Sequence, residues 1–185
     1  ERSAHPDETR YTGGTGFAVR DAGRLAKPYA DGTPEPVAMT DGMRVPFFDT
    51  VATFAPSRIL DAASYPSGGA GMAGTAGDVL TFLEAIRTGG APILRADTVE
   101  RMASDQVGAE AETQGPGWGF GHGWAVLVDP APTGTPQAAG TLQWGGAYGH
   151  SWFVDRANAL SVVALTNTAF EGMSGAFPAE IRDAV

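Results

Sequence analysis

Over the first seventy residues, hydrophobic and polar positions follow no steady period. Thr15 to Val19 suits a short extended piece, and from Leu25 to Ser67 the chain is punctuated by Pro28, Pro34, Pro36, Pro46, Pro56 and Pro66. A loop-rich stretch of that length is uncommon in a compact domain unless it is functional or packs on something else. It reads as an excursion wrapping a core that is partly missing. Helical spacing begins at Thr75. Thr75 and Asp78 make a capping box with aspartate in place of glutamate, Val79, Leu80, Leu83 and Ile86 mark one face, and Gly89-Gly90 supplies the stop. A shorter helix is predicted over Ala96 to Ser104, burying Val99 and Met102.

Beyond a glycine-rich approach the period becomes two. Trp118, Phe120, His122, Trp124, Val126 and Val128 fall on one face, and Gly117, Gly119, Gly121 and Gly123 on the other. A strand so bare on one side lets another backbone or a helix come close. A strand ending at Trp144 follows, then strands over Tyr148 to Asp155 and Leu160 to Thr166. Asp155-Arg156-Ala157-Asn158 reads as the turn between the last two, and a final helix is predicted from about Gly175 to Val185. This order predicts an α+β fold, an antiparallel sheet flanked by helices. The 185 residues read as a single, incomplete domain: a loop-rich excursion over 1–70, a helical pair over 71–107, and antiparallel strands with a C-terminal helix over 115–185.

Composition narrows the function classes. Hydrophobic residues at 43% and charged residues at 18% describe a globular chain. A net charge of −9 argues against nucleic acid, which needs a basic face. The absence of cysteine excludes disulfides, thiolate catalysis and zinc–thiolate sites, and leaves cytoplasm and periplasm or secretion equally compatible. No apolar run approaches the roughly 18 residues of a membrane span. The opening Glu1-Arg2-Ser3-Ala4-His5-Pro6 is neither a signal peptide nor the expected natural start of a protein.

A serine activated by lysine needs Ser-x-x-Lys, one helical turn apart, so that amine meets hydroxyl. The single lysine, Lys27, has Arg24 three residues before it, so these residues hold no such motif. Neither Ser67 nor Ser151 stands in a Gly-x-Ser-x-Gly elbow. His150 and Ser151 are neighbours on a strand and point to opposite faces, which rules them out as base and nucleophile; His150 reads as a polar residue near a cleft or sheet edge. His122, among large apolar residues, reads as a core histidine. His5 carries no signal. Asp129, Asp155 and Asp183 read as turn or surface residues. There remains Trp144-Gly145-Gly146. Two glycines after a strand make a bulge or tight bend, or else let a substrate lie along the strand edge with backbone N–H groups free to donate.

From about Thr15 onward the chain resembles the C-terminal part of family VIII carboxylesterases, relatives of class C β-lactamases and D-peptidases. The resemblance is carried by Thr15-Gly16-Phe17-Ala18-Val19, Arg24 to Tyr29, Ser67 to Met72, Thr75-Ala76-Gly77-Asp78, Ile93-Leu94 before Thr98-Val99, and Gly117 to Gly121. Trp144 to Asp155 and Thr166-Asn167-Thr168 complete it. Order and spacing hold over about nine-tenths of the chain.

The resemblance implies the C-terminal portion of a β-lactamase/transpeptidase-like fold. It implies that Trp144, Gly145 and Gly146 form the family's third active-site element, where β-lactamases have Lys-Thr-Gly and many esterases Trp-Gly-Gly. The Ala147 N–H would then be half of an oxyanion hole, its other half being the nucleophile's own N–H, with Trp144, Gly145, Gly146 and Tyr148 contacting substrate. The family's Ser-x-x-Lys and Tyr-x-Asn or Tyr-x-Ser elements lie upstream; Tyr29-Ala30-Asp31 imitates the latter but has Asp for Asn and sits in the proline-rich stretch. No catalytic nucleophile or base is therefore expected within these residues, and the partner they imply is a missing N-terminal half of the same enzyme. Indole in place of lysine removes the cation that would pair with a substrate carboxylate. The expected activity is that of a carboxylesterase forming an acyl-enzyme on neutral, small-molecule esters, with no metal or cofactor. The alternatives are a β-lactamase or D-peptidase, and a non-catalytic binding module that kept the scaffold.

Overall fold

The computed structural model describes residues 19, 22–69, 71–111 and 113–185. Thr15 to Ala18 of the expected extended piece, His5 and Ala70 lie outside these. The chain divides into two compact units, one up to Val79 and one from Leu80 onward.

The first unit holds elements the sequence pattern does not announce. Strand β1 (Tyr29–Ala30) pairs with β2 (Val37–Ala38), and β3 (Arg44–Phe47) pairs antiparallel with β4 (Thr50–Thr53). Strands of two to four residues are too short for a period of two to show, and Pro46 within β3 is tolerated because a two-stranded ribbon has only edges. A 3-10 helix, Pro56–Leu60, follows. It is tied to the loop before β3 by Asp41, whose carboxylate accepts the Ser57 N–H at 3.0 Å and the Ser57 hydroxyl. These bonds, the hydroxyl's first, hold the Asp41 carboxyl below its ordinary range.

Helix α1 (Ala76–Arg87) begins with the predicted capping box. The Asp78 N–H donates to Thr75 Oγ1 at 3.1 Å and the Thr75 N–H to Asp78 Oδ2 at 3.4 Å. It ends at Gly89 and Gly90, both at positive φ, with the Gly90 N–H returning to the Ala85 carbonyl at 2.6 Å. Leu83 and Ile86 are buried, whereas Leu80 is exposed, so the apolar face is covered only along its C-terminal half. Helix α2 (Ala96–Met102) buries Val99 completely and Met102 partly.

The second unit is built on five antiparallel strands in sequence order: β5 (Trp118–Phe120), β6 (Ala125–Leu127), β7 (Leu142–Gly146), β8 (His150–Asp155) and β9 (Leu160–Leu165). The chain closes with α3 (Glu171–Ser174) and α4 (Phe177–Ala184), two helices where the pattern predicts one. The α+β class with an antiparallel sheet stands.

The alternation over 118–128 belongs to two strands and not one. Gly121-His122-Gly123-Trp124 is a hairpin, closed by the Gly121 N–H on the Trp124 carbonyl at 2.9 Å, with Gly123 at φ 106°. Trp118 then opposes Leu127 and Phe120 opposes Ala125, while Val126 opposes Gly119 on the other face. His122 is consequently exposed at the hairpin tip and is no core histidine. The bare glycine face receives backbone as expected. A Cβ on Gly121 would strike the Met102 carbonyl, and one on Gly119 the Asp105 carboxylate, which accepts the Phe120 N–H at 3.1 Å. Asp155 also departs from the surface reading. It is 3% exposed and accepts from the Ala138 N–H at 3.0 Å, the Asn158 N–H at 3.0 Å and Asn158 Nδ2 at 2.8 Å. Burial alone would raise its pKa, but the hydrogen bonds from Ala138, Asn158 and Ala157 outweigh it and hold the carboxylate below its usual value. It organises the turn between β8 and β9.

Candidate active site

Strand β7 outruns its neighbour on one side only. Its register with β6 ends at Ala125↔Gln143, whereas its register with β8 continues through Trp144↔Trp152, Gly145↔Ser151 and Gly146↔His150. In an antiparallel ladder, alternate residues direct both backbone groups to the same side. The Thr141 carbonyl accepts from the Leu127 N–H at 2.8 Å, so Thr141 faces β6, and Gln143 and Gly145 must do likewise. Past Gln143 that side carries no β6 residue. Among the described residues no strand pairs with β7 on that side beyond Gln143, so Gly145 presents its N–H and carbonyl along an edge that is open there.

Ala147 joins it through a different constraint. The Gly149 N–H donates to the Gly146 carbonyl at 2.9 Å, closing a three-residue loop with Gly149 at φ 103°. That carbonyl points toward β8. The Gly146–Ala147 peptide is planar and trans, so the Ala147 N–H points the opposite way, to the open edge. The Ala147 carbonyl is itself held by the Phe170 N–H at 2.9 Å.

The two glycines have distinct surroundings. A Cβ on Gly145 would lie 2.8 Å from Met173 Cα and 3.1 Å from the Gly172 carbonyl, so Gly145 is needed where α3 packs against β7. A Cβ on Gly146 would meet His150 Nδ1 at 3.3 Å. Trp144 is 39% exposed and its ring meets that of Phe120 edge-on at 5.2 Å between centroids. Trp152, opposite Trp144, is met edge-on by Trp124 at 6.1 Å. Tyr148 is half-buried in the same turn.

His150 opens β8 with its ring beside Gly146, and loss of hydration there lowers its pKa. Ser151 opposes Gly145 on the other face, so the two neighbours do diverge. Tyr29 and Ala30 form β1, with the Lys27 ammonium 5.8 Å from the Tyr29 ring centre. Among the described residues there is no group of three or more His, Cys, Asp or Glu placed to hold a metal ion, and no helix is long and apolar enough to cross a membrane.

The structure thus brings Trp144, Gly145, Gly146, Ala147 and Tyr148 together at one strand end. Sequence patterns miss the residues that hold it: Gly149, Thr166, Phe170 and Gly172. Of these only Gly149 and Thr166 lie in motifs that stand out, and neither motif shows what the residue touches.

A family model described as Beta-lactamase matches residues 3–184. The chain belongs to the Beta-lactamase family. Within this family the chain is 59% identical over 175 residues to Esterase EstB of Burkholderia gladioli, covering 92% of this chain and 44% of that protein. Among solved structures it is similar to EstCE1, a hydrolase with promiscuous acyltransferase activity. There the identity is 57% and the TM-score 0.89, over 92% of this chain and 46% of that one. Simvastatin Synthase (LovD) from Aspergillus terreus shares the fold, with TM-score 0.60 at 15% identity over 83% of this chain and 41% of that one. The likeness to part of a family VIII carboxylesterase is borne out, and so is the β-lactamase-like fold. The chain spans less than half the length of the esterase relatives it matches.

Proposed function

We propose that this β-lactamase-family chain is a portion of a serine hydrolase, a carboxylesterase that acts on neutral esters through an acyl-enzyme. The observation that carries the reading is the open edge of β7, where the Ala147 N–H is turned outward by the Gly149 bond to the Gly146 carbonyl. A preorganised N–H at an uncovered edge suits the developing oxyanion of acyl transfer. Ala147 then supplies half of the oxyanion hole, and Trp144, Gly145, Gly146 and Tyr148 contact the substrate. An exposed indole at Trp144 offers apolar surface and no cation, which favours a neutral acyl group over a carboxylate-bearing one. Similarity to a protein named an esterase supports the same choice.

The serine, its lysine and the tyrosine belong, in this reading, to another part of a longer protein, which together with these residues completes one β-lactamase-like domain. The 185 residues by themselves turn over no ester.

The test compares the full-length protein with this chain alone, using a short-chain p-nitrophenyl ester and nitrocefin. The expected result is ester turnover by the full-length protein, little nitrocefin cleavage, and none of either by the chain alone. Ester turnover by the chain alone, abolished by a substitution within it, would overturn the division of labour. Preference for nitrocefin would make the parent a β-lactamase, and turnover of neither substrate by the full-length protein would favour a binding module.

A further inference from the structure

The loop that orients Ala147 is held from behind by the side chain of Thr166, whose place in Thr166-Asn167-Thr168 does not show what it touches. The Gly149 carbonyl accepts two hydrogen bonds from one residue: the Thr166 N–H at 3.1 Å and the Thr166 hydroxyl at 2.7 Å. The first continues the β8–β9 ladder by one step beyond His150↔Leu165. The second is not needed for that ladder. It adds a grip on a peptide whose glycine, at φ 103°, has backbone freedom that other residues lack. Gly172 closes the remaining side, since a Cβ there would collide with the same carbonyl oxygen.

We infer that the Thr166 hydroxyl is a positioning residue for the Ala147 N–H donor, acting through the Gly149 carbonyl and the Gly149 N–H bond to Gly146. The inference rests on the reading of Ala147 as half of the oxyanion hole. The coupling is geometric. The Gly149 carbonyl and the Gly149 N–H belong to successive peptide planes that meet at the Gly149 Cα. Releasing the carbonyl therefore frees φ and ψ of this glycine, its N–H leaves the Gly146 carbonyl, and the Gly146–Ala147 peptide plane is no longer held. The Ala147 N–H then has to be oriented during the reaction instead of before it. An oxyanion requires that donor more than a ground-state ester carbonyl does, so the loss falls on the transition state. A purely structural threonine would lower stability and leave the chemistry of the remaining folded protein unchanged.

The test uses the full-length protein and two pairs of residues at one site: threonine against Thr166→Val, which keeps shape and loses the hydroxyl, and Thr166→Ser against Thr166→Ala. Steady-state hydrolysis of a short p-nitrophenyl ester is measured beside inhibition by a trifluoromethyl ketone, whose adduct places an oxyanion on the same donors. Loss of one hydrogen bond of ordinary worth predicts a fall in kcat of about five-fold at unchanged KM. The inhibition constant for the ketone should rise by the same factor, and Thr166→Ser should behave as wild type. The proposal is overturned if kcat is unchanged in both hydroxyl-free variants, if ketone inhibition does not follow kcat, or if Thr166→Ser is as impaired as Thr166→Ala. A wild-type protein that neither hydrolyses the ester nor binds the ketone would instead overturn the esterase reading itself.

Discussion

Gly172 stands with its Cα against the Gly149 carbonyl, so closely that a Cβ on Gly172 would occupy the space of that oxygen. Helix α3 can reach β7 and β8 only because Gly172 and Gly145 lack side chains, a Cβ on Gly145 falling 2.8 Å from Met173 Cα. Gly172→Ala must therefore push α3 off the loop or rotate the Gly149 peptide. The expected cost is about 3 kcal/mol of stability, typical of overpacking a site that cannot give. Chemical unfolding measures it, and a variant within about 0.5 kcal/mol of wild type would show that the contact relaxes freely.

Trp144 sets the charge preference in the proposed function. Trp144→Lys replaces an exposed apolar ring with a cation beside the open edge of β7. It should lower kcat/KM for a neutral ester by about ten-fold and improve the relative rate for a matched ester carrying a carboxylate on its acyl side. Equal loss on both esters would mean that Trp144 does not contact the acyl group.

Asp155 predicts a stability loss far from that edge. Its buried carboxylate satisfies N–H groups of Ala138 and Asn158, and Asp155→Ala leaves those donors without their acceptor. A destabilisation of about 2–3 kcal/mol is expected in urea, with ester kinetics of the surviving folded protein near wild type.

Glu84 carries a pH signature. Hydrogen bonds from Arg87, the first of them at 2.9 Å, lower its pKa from 4.5 to about 2. A depressed folded-state pKa contributes stability that is complete above 4.5 and is lost as pH falls toward 2. The wild type should therefore melt above Glu84→Gln at pH 5, and the difference should shrink to nothing on acidification through that window. The carboxylate is substantially exposed, so the effect is small and sensitive to salt. A difference in melting temperature that does not change with pH would refute the assignment.

What the sequence by itself determined is mostly local. The capping box at Thr75 and Asp78, the glycine stop at Gly89-Gly90 and the turn after Asp155 each depend on residues a few positions apart, and each is found where its pattern predicts. The lack of Ser-x-x-Lys around Lys27 is equally a matter of neighbours. Short strands such as Tyr29–Ala30 lie below the length at which a period becomes visible. The hairpin at His122-Gly123 is hidden because a two-residue loop does not interrupt the alternation, and only strand pairing shows that Val126 faces away from Phe120.

The candidate site divides along the same line. Trp144-Gly145-Gly146 is legible as a motif, and its local composition suits a strand that ends in a bend. Why Gly145 must be glycine was decided only by tertiary structure, because its constraint is Met173, twenty-eight positions away along the chain. The direction of the Ala147 N–H was decided in the same way. It follows from a trans peptide locked by Gly149, which Thr166 and Gly172 hold in turn. Backbone direction is a property of closed hydrogen-bond rings and close contacts, and those exist only once distant segments have come together.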